Sequence, residues 1–231
     1  MTGTDLSGQV ALVTGASRGF GAAAGAAMAD AGAHLLALGR TTGALEALDD
    51  RIKGAGGQAT LIPLDITDND GLARMGAAIH GRWGRLDLWL HTAAYAPPLG
   101  PAAHLGAKET DQAISVNLRA FERLIHVLDP LLRAAPEGTA LIAADPEAVG
   151  AKFHGLYGAT KAAQSAITRS WSAESAGRIR VVEVVPPPMP TALRGRFHPG
   201  EAREPLTPPE AAAAGLMAEL GAAAPGSVLR L

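Results

Sequence analysis

Thr14-Gly15-Ala16-Ser17-Arg18-Gly19-Phe20-Gly21 follows an apolar run, Val10-Ala11-Leu12-Val13, and precedes an alanine-rich segment, Ala22 to Ala31. A strand passing through a glycine-rich turn into a helix is a phosphate-binding device. The glycines permit the tight turn and let a ligand approach the backbone, and the helix start offers unpaired N–H groups with a partial positive charge. The spacing departs from the G-x-G-x-x-G fingerprint: here three residues separate the first two glycines and one separates the last two. Gly15-Ala16-Ser17-Arg18-Gly19 also fits G-x-S-x-G, the nucleophile elbow of hydrolases. Such an elbow normally follows several strands, whereas a single apolar run precedes this one. The turn is therefore read as a dinucleotide site.

Composition narrows the setting. The 231 residues suit one domain, 1–231, around one core. Apolar residues make up 48% and aromatics 4%, so that core is aliphatic. A net charge of −2 without a long run of one sign argues against nucleic acid or an anionic membrane surface as partner. No cysteine is present, which removes disulfides, thiol nucleophiles and cysteine metal sites. The seven histidines lack ligand-like spacing, so no bound metal is expected. Asp5 near the start predicts no signal peptide, and no apolar run reaches the ~18 residues of a membrane span. A cytoplasmic protein is expected.

Strand and helix patterns alternate along the whole chain. Predicted strands are His34–Leu38, Thr60–Leu64, Leu86–Leu90, Ala140–Ala143, Ile179–Val185 and Val228–Leu231, after the first at Val10–Val13. Predicted helices cover about Thr42–Lys53, Asp68–His80 with Asp68 as N-cap, Lys108–Leu132, Tyr157–Ala176 and Glu210–Leu220. Pro186 to Pro209 reads as a proline-rich loop. This alternation predicts an α/β fold: a Rossmann-type doubly wound sheet with helices on both faces, its ligand site beyond the carboxyl ends of the strands.

A fold of this kind that prefers NAD carries a carboxylate about 20 residues past the glycines. Here Gly39-Arg40-Thr41 stands there, with Arg18 in the turn itself. Two guanidiniums suit a 2′-phosphate, so NADP(H) is preferred over NAD(H). The alternative for Arg40 is a solvated side chain after a strand. Asp65 has two readings, an acceptor for the adenine amino group or an Asx-turn. Tyr157 and Lys161, at i and i+4, share one helix face. A fixed ammonium and a cationic nicotinamide lower a phenol's pKa from ~10, which makes Tyr157 a candidate acid–base group.

Thr14 to Gly21, Asp65, Asn117, Tyr157 with Lys161, and Thr191 occur in an order that resembles the short-chain dehydrogenase/reductase family over essentially the whole chain. The resemblance implies seven parallel strands and hydride transfer between a nicotinamide and a small-molecule alcohol or carbonyl. It implies Tyr157 as proton donor or acceptor, Lys161 as ribose ligand and tuner of Tyr157, and Asn117 as holder of a relay water. The implied cofactor contacts are Gly15, Ser17, Arg18, Gly19, Phe20, Gly21, Arg40, Asp65, Ile66, Ala93, Tyr157, Lys161 and Thr191. Homodimers or homotetramers through the fourth and fifth helices are also implied, with Leu124, Ile125, Val127 and Leu128 suited either to that contact or to core packing.

The departures are specific. The family's catalytic serine position holds Ala144, preceded by Ala143, and Asp145, His154 and Thr92 are the nearby polar substitutes. Asn-Asn-Ala-Gly becomes His91-Thr92-Ala93-Ala94, and Pro-Gly becomes Pro186-Pro187. His91 is either a spare acid–base group or a packed, hydrogen-bonded residue. Arg194, Arg196, His198 and Arg203 suggest an anionic or polar substrate, or else a basic loop balanced by Glu201 and Glu204. Three functions follow: a working oxidoreductase, a catalytically impaired NADP(H)-binding sensor or partner subunit, or an enzyme of another reaction such as dehydration or epimerisation.

Overall fold

The computed structural model describes residues 4–175 and 177–231. Ala176, the expected end of the Tyr157 helix, and residues 1–3 of the expected 1–231 domain lie outside the described residues. Seven strands form one parallel sheet: β1 (Val10–Thr14), β2 (His34–Gly39), β3 (Gln58–Pro63), β4 (Leu88–His91), β5 (Thr139–Ala143), β6 (Arg180–Val185) and β7 (Val228–Arg230). Their order is β3-β2-β1-β4-β5-β6-β7. The chain reverses direction across the sheet between β1 and β4, and parallel α/β sheets open a crevice at that point. Register there pairs Thr14 with His91, which sets the two side by side at the floor of the crevice.

Alternation along the strands divides the core into two layers. Ala11, Val13, Leu35 and Ala37 face α1 (Gly19–Asp30), α2 (Thr42–Gly54) and α8 (Pro209–Glu219). Val10, Leu12, Leu36 and Leu38 face α3 (Asn69–Trp83), α5 (Ala120–Arg133) and α6 (Gly155–Ser175). Alanine suits α1 because the helix lies close on the sheet: a Cβ on Gly25 would stand 3.1 Å from the Leu35 side chain. Asp68 caps α3 as expected, accepting from the Gly71 N–H at 2.9 Å.

The stretch expected as one helix from Lys108 to Leu132 is divided. A π-helical turn, Ser115–Arg119, separates α4 (Ala107–Ile114) from α5. Nothing in its hydrophobic period marks the change, which follows from the tertiary partners of Asn117 described below. The Pro186–Pro209 loop contains a helix, α7 (Ala192–Phe197), capped by Thr191 Oγ1 accepting from the Arg194 N–H at 3.3 Å. Leu124 and Leu128 are fully buried in the core, with Ile125 and Val127 half-buried and packed partly against it. Among the described residues, no helix is long and apolar enough to cross a membrane.

Candidate active site

A cleft of about 1210 Å³ lies beyond the carboxyl ends of the strands. It is lined by every expected cofactor residue from Gly15 to Thr191, including Ile66 and Ala93, and by Tyr157 and Lys161. Asn117 is not in its wall; it is fully buried behind it.

At one end the glycine turn is pressed against the β4 loop. Gly15 has φ +90°, and a Cβ there would lie 2.8 Å from the Ala93 nitrogen. A Cβ on Gly21 would collide with the Gly15 carbonyl and the Thr92 hydroxyl. Because one obstacle is backbone, Gly21→Ala is expected to destabilise the fold by about 1–3 kcal/mol. At roughly 2–4 °C per kcal/mol, thermal melting resolves that loss. An unchanged melting temperature would sink this account of the turn. Gly19 lies under Thr191, whose methyl would be 3.1 Å from a Cβ at that position, so the first and sixth βα loops meet over the site.

Helix α1 starts without a side-chain cap, since Arg18 at its N-cap makes no such bond. Its first N–H groups are orphans of the kind that bind anions. Arg40 is exposed and pairs with Asp65 Oδ2 at 3.6 Å. Asp65 Oδ1 accepts from the Thr67 N–H at 2.9 Å and its hydroxyl at 2.8 Å, the Asx-turn reading. Burial pushes the Asp65 carboxyl up, but the Thr67 hydrogen bonds and Arg40 outweigh it and hold it below the usual range.

At the other end Tyr157 is 4% exposed. Its ring packs 4.8 Å from that of Phe197 on α7, in a small apolar cluster with Ala148. Contrary to the lowering expected from a fixed ammonium, burial, reinforced by the neighbouring Asp145 carboxylate, pushes the phenol above its ordinary pKa. Lys161 is buried, and its Nζ donates to the Ala143 carbonyl at 2.6 Å and Gln164 Oε1 at 2.7 Å. Burial lowers its pKa to about 8, against the opposing pull of Asp145 and Glu183.

Asn117 bonds to the loop after β4 and to Thr160, the neighbour of Lys161 in sequence. Its Oδ1 accepts from the Tyr95 N–H at 2.7 Å, and its Nδ2 donates to the Tyr95 carbonyl at 2.9 Å and Thr160 Oγ1 at 3.0 Å. The side-chain amide thus pins the loop after β4 to α6, and the π turn is where the helix accommodates it. The Thr92 hydroxyl donates inward to the Thr14 carbonyl at 2.9 Å, which removes it as a stand-in for the missing serine. His154 donates its Nδ1–H to the Lys152 carbonyl at 3.0 Å and packs edge-on against the Phe197 ring at 5.3 Å. Asp145 remains beside Tyr157, with Oδ1 accepting from the Ala148 N–H at 3.2 Å.

His91 is 1% exposed and bonded to Thr14 Oγ1 at 2.7 Å, so it is the packed residue and not a group open to substrate. Burial, then the nearby Lys161 charge, pushes its pKa down to about 3. Of the basic loop, Arg194 is held by Glu201 through contacts of 2.7 and 2.6 Å, in agreement with the balanced-loop reading. Arg196 lies 5.9 Å from the Tyr95 ring centre, at the cleft wall.

The sequence profile described as short chain dehydrogenase matches residues 9–202. The chain belongs to the short-chain dehydrogenase family. A Pseudomonas syringae structure assigned to this family is 29% identical, with a TM-score of 0.91 over 100% of this chain and 98% of its own. An Escherichia coli CFT073 structure, also assigned to the family and complexed with NADPH, is 26% identical with a TM-score of 0.89, covering 97% of each chain. Among curated relatives, mouse L-fucose dehydrogenase is 32% identical over 72% of this chain, which spans 60% of that protein's length.

The family pattern accounts for the glycine turn, Tyr157 and Lys161, but not for everything that touches them. Phe197 covers Tyr157 from a loop whose prolines hide its one helical turn. Gln164 belongs to no part of that pattern, although its i+3 position relative to Lys161 puts both on one face of α6. That spacing is the sequence's signal for Gln164.

Proposed function

We propose that the protein is an NADP(H)-dependent oxidoreductase that transfers hydride between the nicotinamide and an alcohol or carbonyl substrate, and that it works as a carbonyl reductase. The observation that carries this reading is a single cleft lined by Tyr157, Lys161, the uncapped start of α1 and the exposed Arg18 and Arg40. These residues fit a phosphorylated dinucleotide. Orphan N–H groups suit its pyrophosphate, and two guanidiniums beyond them suit a 2′-phosphate.

NADPH held by the start of α1, Arg18 and Arg40 would supply the hydride. Tyr157 gives its phenolic proton to the substrate oxygen as negative charge grows there. Its raised pKa keeps that proton in place at neutral pH, which suits a donor and opposes the phenolate that alcohol oxidation requires. Lys161, cationic up to about pH 8, stabilises the phenolate left behind. The closed apolar contact between Phe197 and Tyr157 keeps water from the transfer.

Ala144 favours a second reading, a nucleotide-binding protein with little turnover, because no side-chain hydroxyl at that position holds the substrate oxygen. Calorimetric titration separates nucleotide specificity from turnover. NADPH should bind more tightly than NADH, and Arg40→Ala should weaken NADPH by about 10- to 100-fold, the worth of one charge-assisted hydrogen bond, while leaving NADH unchanged. Equal binding of the two nucleotides by the unaltered protein would remove the NADP(H) preference.

A further inference from the structure

Behind Lys161 runs a line of buried polar groups that the hydride-transfer scheme does not use. Gln164 is 1% exposed; its Oε1 accepts from Lys161, and its Nε2 faces His91 Nε2 at 3.5 Å. His91 Nδ1 lies 2.7 Å from Thr14 Oγ1, which in turn lies 3.4 Å from the Leu90 carbonyl. The chemistry of the first member fixes the polarity of all the others. An ammonium only donates, so Gln164 must offer Lys161 its oxygen and offer His91 its NH2. An NH2 group also only donates, so His91 Nε2 must accept and the ring must carry its proton on Nδ1. Nδ1–H then donates to Thr14, whose hydroxyl proton passes to Leu90.

We propose that Thr14, His91 and Gln164 form a one-way hydrogen-bond line that positions the Lys161 ammonium, with Gln164 and His91 acting as positioning residues for the site. Gln164 and the Ala143 carbonyl take two of the three ammonium hydrogens and leave one for the cleft. The line crosses from α6 through β4 to β1, so it ties the catalytic helix to the strand that carries the glycine turn. It also accounts for His91 at a position where the family has asparagine: the ring is long enough to meet Thr14 on one side and Gln164 on the other. The charged and titratable groups facing Lys161 are Asp145 just beyond β5, Glu183 on β6 and His91 on β4. Burial keeps the ring neutral through the working range, with a pKa near about 3, so one tautomer serves throughout.

Only the part assigned to Lys161 in the reaction rests on the proposed function; the line itself is a property of the protein without nucleotide. It is tested by nitrogen-15 NMR of the nucleotide-free protein. Long-range proton–nitrogen spectra should show His91 neutral with its proton on Nδ1 from pH 5 to 8, and lysine Nζ spectra should show Lys161 titrating near 8. Gln164→Glu keeps the acceptor for Lys161 but has no donor for His91. In that variant the ring proton should move to Nε2 and the Lys161 midpoint should rise. Gln164→Leu removes the acceptor, so the midpoint should fall. An Nε2–H ring in the unaltered protein would overturn the proposal without any variant having to fold. So would identical Lys161 titration in all three proteins. Failure of the unaltered protein to bind NADPH would instead overturn the proposed function and leave the NMR result standing.

Discussion

Tyr157→Phe should lower NADPH-dependent carbonyl reduction by about 10²–10⁴-fold, the range for a lost general acid. The substitution removes one oxygen and keeps the ring, so packing against Phe197 and Ala148 survives. Cofactor affinity should therefore be nearly unchanged, while loss of the buried hydroxyl beside the Asp145 carboxylate should cost about 1–3 kcal/mol of stability, read in the melting temperature. Single-turnover reduction monitored at the nicotinamide absorbance reads the effect. In the unaltered enzyme the rate should fall as pH rises through about 8, where Lys161 loses its proton and can no longer stabilise the phenolate. Turnover equal to the parent's would show that the proton comes from another group.

The second large effect runs the other way. Ala144→Ser should raise the reduction rate by roughly 10²–10³-fold, the worth of one restored donor to a developing oxyanion. Ala144 is well placed to receive the change. Its N–H donates to the Val184 carbonyl at 2.7 Å, so the sheet fixes its backbone, and its side chain lines the same cleft as Tyr157. The neighbouring Ala143 carbonyl already holds Lys161, so the new hydroxyl would enter a site whose ammonium is positioned. A measured gain would identify the missing hydroxyl as what limits the rate. Absence of any gain, with NADPH still bound, would favour the nucleotide-binding protein over the reductase.

The sequence by itself determined the layout: seven strands, the helices apart from the divided fourth and the short one in the proline-rich loop, the glycine turn, the Asp68 cap, and Tyr157 with Lys161 on one helix face. These are local matters. Hydrophobic period, turn chemistry and i, i+4 spacing act over a few residues, so they are present in the order of the letters. The tertiary structure decided which groups the site residues actually touch. Arg40 meets Asp65 across two strand ends, and Asn117 binds the Tyr95 backbone and the Thr160 hydroxyl. The Thr92 hydroxyl turns inward, and Gln164 joins His91 across 73 residues of chain. Such pairings depend on strand register and on how far the Lys161 and Gln164 side chains reach from α6 to β5 and β4. In a buried site each polar group must find a partner, and only the folded sheet brings those partners within reach.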